Sequence, residues 1–64
     1  MRVRWSFKRY DEHLPHLDKF MLTGRTEDGR VATKGGWGWR NHHERRYVFA
    51  FIRRDLARQA EKAA

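Results

Sequence analysis

The chain reads as an α+β domain in the order β-β-β-α, a small three-stranded antiparallel sheet packed on one long C-terminal helix. Three observations predict this. Arg2 to Lys8 alternates strictly, with Val3, Trp5 and Phe7 on one side and Arg2, Arg4, Ser6 and Lys8 on the other, the period of a half-buried strand. Thr26-Glu27-Asp28-Gly29 separates two strand-like runs, Lys19 to Arg25 and Arg30 to Lys34. Asp-Gly is a strong hairpin pair because both residues tolerate positive φ. From Asn41 onward there is no Gly or Pro, and Val48, Phe51, Ile52, Leu56 and Ala60 recur at spacings of three and four, one apolar helical stripe. Residues 1–40 thus form the sheet half and residues 41–63 the helix.

The first strand carries three positive charges on its polar side, with Tyr10 in phase if the strand runs on. In Asp11 to Asp18, Pro15 removes a backbone donor and turns Leu14 away from helical geometry. This stretch reads as a loop with at most one helical turn, pinned to the core by Leu14 and Leu17. In the hairpin, Phe20 and Leu22 are expected to face the core from one arm and Val31 from the other, with Gly24 marking a bulge. Gly35 to Trp39 continues the phase of Val31 and Thr33, which lets both Trp37 and Trp39 project from one side. Its three glycines mean either a flexible loop or a place where another backbone comes close.

Asn41 followed by Glu44 is the sharpest local signal. An Asn side chain accepts from the free amides of a new helix, and a Glu three residues on reaches back to the Asn amide. The rival reading is a strand over Tyr47 to Ile52. The helix is preferred because cap, stripe and good helix formers agree over some twenty residues. Arg46, Ala50, Arg53, Arg54, Ala57 and Glu61 fall opposite the stripe. Asp55 falls within it, so the last turns either leave the core or use Asp55 in an ion pair.

Sixty-four residues make one domain, and a chain this short buries roughly 60% of the surface its unfolded form exposes. Without cysteine there is no disulfide and no thiolate zinc site. Nine aromatic residues must therefore supply most of the core, and at least one of the three tryptophans belongs to it. No apolar run approaches the roughly 20 residues that span a bilayer, and Met-Arg-Val-Arg-Trp lacks the apolar core of a secretory signal. A cytoplasmic location without a membrane partner is expected.

Catalysis finds little footing. His13, His16, His42 and His43, with Glu12, Asp18 or Glu44, have no familiar metal-binding spacing, and adjacent histidines on a regular helix cannot both face one ion. Ser6 is the sole serine, set among basic neighbours. The paired carboxylates Asp11-Glu12 and Glu27-Asp28 lie in turns, and the glycines match no phosphate-cradling pattern. The chain is expected to be no enzyme and to need no metal or cofactor.

The charge points elsewhere. Fifteen basic against eight acidic residues give +7, which favours polyanions or an acidic protein surface. Eleven of the fifteen are arginine, suited to bidentate phosphate and carboxylate contacts, although a GC-rich gene is a rival explanation for arginine over lysine. Three candidate surfaces mix cations with rings: Arg2, Arg4 and Lys8 with Tyr10; Lys34 and Arg40 with Trp37 or Trp39; and Arg46, Arg53 and Arg54 on the helix. The leading expectation is a nucleic-acid-binding accessory protein that contacts DNA or RNA backbone phosphates. Arg2, Arg4, Lys8, Arg40, Arg46 and Arg53 would supply charge, with Trp37 or Trp39 as a stacking or wedge residue. The alternative is a small regulator or inhibitor docking on an acidic protein patch with an exposed Trp as anchor. A homodimer is a third possibility if Trp37, Trp39 or Phe49 forms an exposed apolar patch.

Overall fold

A computed structural model describes residues 2–10 and 19–63. The loop expected over residues 11–18, with its leucine anchors, lies outside the described residues. The order is β-β-β-α, as the alternation and the cap predict: β1 (Val3–Arg9), β2 (Lys19–Thr26), β3 (Val31–Trp37) and α1 (His42–Ala63). The strands form one antiparallel sheet in the order β1-β2-β3, and α1 lies across β2 and β3.

Register settles which side chains meet the helix. Trp5, Gly24 and Ala32 stand in one cross-strand row, and Phe7, Leu22 and Lys34 in the next. Side chains in one row share a face, so this is the helix-facing side. Phe20, Leu22 and Ala32 are buried there against Val48, Ile52 and Leu56, with Val3, Trp5, Trp39 and Phe49 packed around them.

Two expected core positions move. Val31 is 40% exposed, and Ala32 takes the inward place. The reason is room, since a methyl group suits the row where the helix comes nearest. Phe51 sits on the flank of α1 at 39% exposure, its ring covered by the Lys34 ammonium at 5.0 Å. Val48, Ile52 and Leu56 form the buried line instead.

Gly24 makes no bulge, because pairing runs through it on both sides. Its role is close approach. A Cβ there would stand 2.8 Å from Ile52 Cγ2 and 3.0 Å from Val3 Cγ1. Gly36 works similarly: it pairs within β3, and a Cβ would meet the Phe20 ring at 2.9 Å. The glycine-rich stretch is therefore strand as far as Trp37, with the Phe20 carbonyl near Gly35 and the Phe20 ring and Glu44 carboxylate near Gly36.

The hairpin closes through Gly29 N donating to Thr26 O at 3.1 Å and Thr26 N to Arg30 O at 3.0 Å. Gly29 holds φ +91°. This is a three-residue loop ending in a left-handed glycine, rather than the two-residue turn that Asp-Gly alone suggests. Arg30 locks it. Its Nε donates to Asp28 Oδ2 at 2.9 Å, and its terminal nitrogen donates to the Leu56 carbonyl at 2.7 Å. One side chain thus ties the hairpin to the helix.

Asn41 caps α1 as expected, its Oδ1 accepting from His43 N at 2.9 Å and Glu44 N at 3.4 Å. The reciprocal limb is absent, because Asn41 N donates to Gly38 O instead. Of the two outcomes expected for the last turns the first holds, since no described residue after Leu56 is buried, and Asp55 joins no ion pair among the described residues. It accepts from Gln59 Nε2, which also donates to the Val31 carbonyl at 2.9 Å, and the next residue, Leu56, is fully buried.

Gly24→Ala sets two effects against each other. Alanine lowers the entropy of the unfolded chain by about 0.5–1 kcal/mol relative to glycine, whereas overpacking a filled core costs about 1–3 kcal/mol. Ile52 is fully buried and stiff near its branch, so a net loss of about 1–2 kcal/mol is expected in urea melts. An unchanged or raised midpoint would show that the helix does not sit this close.

Candidate functional site

Strand period places the opposite set of side chains on the uncovered face. β1 presents Arg4, Ser6 and Lys8; β2 presents Lys19, Met21, Thr23 and Arg25; β3 presents Val31, Thr33, Gly35 and Trp37. Among the described residues, no acidic side chain stands on these strand positions. Arg2 continues the line beyond β1, its guanidinium 3.6 Å from Glu27 in a wholly surface pair. Tyr10 extends it at the other end, where Tyr10 N donates to Lys19 O at 2.9 Å.

One end of the face is a concentration of positive charge. Arg4 and Arg25 are direct cross-strand partners, and both side chains are exposed. With Arg2, Val3, Thr26 and Glu27 they line a shallow depression. Like charges directly opposite across a sheet repel, and no carboxylate among the described residues pairs with either.

The other end mixes ammoniums and rings. Lys19 Nζ lies 5.4 Å from the Trp37 ring centre and 5.8 Å from that of Tyr10, and Lys8 Nζ lies 5.1 Å from Tyr10. Each such contact contributes about 0.5–1 kcal/mol at an exposed site. The Tyr10 hydroxyl points to the Met21 sulfur at 3.6 Å. Between the two ends lies a low polar row, Ser6, Thr23 and Thr33, with the two threonine hydroxyls 3.2 Å apart.

The structure sorts the expected site residues. Arg2, Arg4, Lys8 and Trp37 converge on the open face, and Trp37 is 58% exposed. Trp39 does not join them. Gly38 at φ +84° breaks the strand's alternation, and the Trp39 ring packs 4.5 Å from Phe7 and 4.9 Å from Phe20, centre to centre. That indole is part of the aromatic core. Lys34 faces the helix side, away from Trp37, and the Trp39 ring packs inward, so neither tryptophan joins Lys34 and Arg40 in the expected surface. Arg40 is exposed in the turn before α1. Arg46 and Arg53 flank Phe49 and Ala50 on the helix, with the Arg53 guanidinium 5.5 Å from the Trp5 ring centre.

Lys19 and Arg25 are the site residues absent from the sequence-based set. Their signal was present, since placing Phe20 and Leu22 inward places Lys19, Met21, Thr23 and Arg25 outward. Among the described residues no three metal-ligating side chains gather, and no helix is long and apolar enough to cross a membrane. No family model, characterised protein or solved structure matches the chain. Architecture without a match carries no function of its own, so the chemistry of this face has to carry the reading.

Beside the face, the Thr26 hydroxyl and then the Arg30 guanidinium hold the Asp28 carboxyl below its ordinary range. A depressed folded-state pKa means the carboxylate favours folding above the usual carboxylate range, and that contribution fades as pH falls through the lowered value. Wild-type protein is expected to lose more melting temperature than Asp28→Asn when acidified below about pH 4. Parallel curves for the two proteins would remove Asp28 from the hairpin lock.

Proposed function

We propose that this is a small non-enzymatic nucleic-acid-binding protein of the cytoplasm that meets backbone phosphates with the open face of its sheet. The observation that carries this is the Arg4–Arg25 pair, two exposed guanidinium groups on adjacent strands, neither of them ion-paired to a carboxylate among the described residues; the nearby Glu27 pairs with Arg2 instead. Such a pair is unfavourable alone and favourable once an anion sits between its members. Lys8 and Lys19 extend the cationic surface toward Tyr10 and Trp37. The alternative, docking on an acidic protein surface, draws on Trp37, whose exposure at the rim suits an interface anchor.

Titration with labelled oligonucleotides separates the two readings. Four cations on the face, each meeting one phosphate, imply that log K falls against log[salt] with a slope of about −3.6 on duplex DNA. Binding at low salt that weakens in this way is the expected result. Absence of binding to DNA and RNA at low salt would refute it, and capture of a protein from nuclease-treated lysate would then favour the acidic partner.

A further inference from the structure

Resting on that reading, we infer that the open face is a clamp for double-stranded DNA of any sequence, with its two cationic ends reaching phosphates on opposite walls of a groove. Spacing along the strands carries the argument. Arg4 and Lys8 are four residues apart on β1, and Lys19 and Arg25 six apart on β2. At about 3.4 Å per residue these separations are roughly 14 and 20 Å. The major groove of B-form DNA is about 12 Å across between its walls, so cations at both ends of the face meet the two backbones together.

The middle of the face decides what is read. Ser6, Thr23 and Thr33 are short, and the two threonine hydroxyls engage each other. The groove floor lies about 8.5 Å below its rim. Short hydroxyls on a sheet resting on the rim stay clear of the base edges. Phosphate contacts position a protein without carrying sequence information, so this face binds duplexes alike.

The rings point the same way. A single-strand binder offers open aromatic faces on which unpaired bases stack. Here an ammonium stands near the ring of Tyr10 and of Trp37, so cations compete with bases for these rings. An RNA duplex fits less well, since its major groove is deep and too narrow for side chains to enter.

The test compares wild type, Arg4→Gln/Arg25→Gln and Arg54→Gln/Arg58→Gln by fluorescence anisotropy. The probes are two DNA duplexes of equal length and unrelated sequence, one of their single strands, and an RNA duplex. Wild type is expected to bind the two DNA duplexes within about threefold of each other, and both at least about tenfold tighter than the other probes. The sheet-face variant should lose about two units of salt slope and at least about tenfold in duplex affinity, while the helix variant stays within about threefold. Circular dichroism melts confirm that each variant folds.

A preference of about a hundredfold for one DNA sequence would overturn the inference, because discrimination on that scale requires base contacts. Equal or tighter binding to single strands or RNA, or loss of binding in the helix variant alone, would overturn it while leaving nucleic-acid binding intact. Failure of every probe to bind at low salt would remove both readings together.

Discussion

The approach of Ile52 to the backbone at Gly24 is the constraint on which the rest of the molecule depends. A Cβ at Gly24 would stand 2.8 Å from Ile52 Cγ2 and 3.0 Å from Val3 Cγ1, so a larger residue there forces the packing between helix and central strand to shift. With the helix seated there, Leu22 and Phe20 are sealed on one side of that position and Ala32 on the strand beside it. The inward face is then determined for all three strands, because side chains alternate with period two and one residue of slippage would invert every strand. The uncovered face follows by exclusion. Its cations are where they are because a methyl group and a hydrogen atom, rather than larger side chains, lie beneath α1.

One helix does not cover three strands, and most of the aromatic residues compensate for this. α1 packs on β2 and β3, which leaves the apolar side of β1 to be closed by other means. Trp5 meets Phe49 edge to face at 4.6 Å, and Trp39 lies against Phe7 and Phe20. Trp39 reaches that place only because Gly38 adopts a left-handed backbone. Aromatic pairs contribute about 0.5–1.5 kcal/mol beyond their buried area, a useful fraction of the stability available to so small a core. Two of the three indoles are thereby committed to folding. Trp37 alone among them stands mostly in solvent, on the face that has no helix.

How much of this was legible follows from which constraints are local. The alternation of β1, the cap at Asn41 and the line Val48-Ile52-Leu56 are written in neighbouring residues, and each was readable. The choice between Val31 and Ala32 was not, because hydrophobicity favours valine and only the nearness of the helix favours alanine. Gly24 and Gly36 raised the same difficulty: a missing Cβ signals close approach without saying by what. The fates of Trp37 and Trp39 turned on one backbone angle at Gly38. For the candidate site, half of the open face was found from β1. The other half, Lys19 and Arg25, followed from the inward placing of Phe20 and Leu22, but charge was sought on β1, the glycine-rich stretch and the helix instead of on the central strand.

That central strand also weighs against the simplest alternative account of the charge. Cations on an edge strand protect a sheet from pairing with another copy, which would explain Arg4 and Lys8 on β1 without any ligand. Lys19 and Arg25 have no such explanation. β2 is hydrogen-bonded on both sides, so it has no edge to guard. Arg25 moreover stands directly opposite Arg4, where a carboxylate would relieve repulsion and serve solubility equally well. Edge protection accounts for charge on β1 and predicts neutral or acidic partners on β2. A surface that receives an anion predicts cations on both strands, and that is the arrangement this sheet presents.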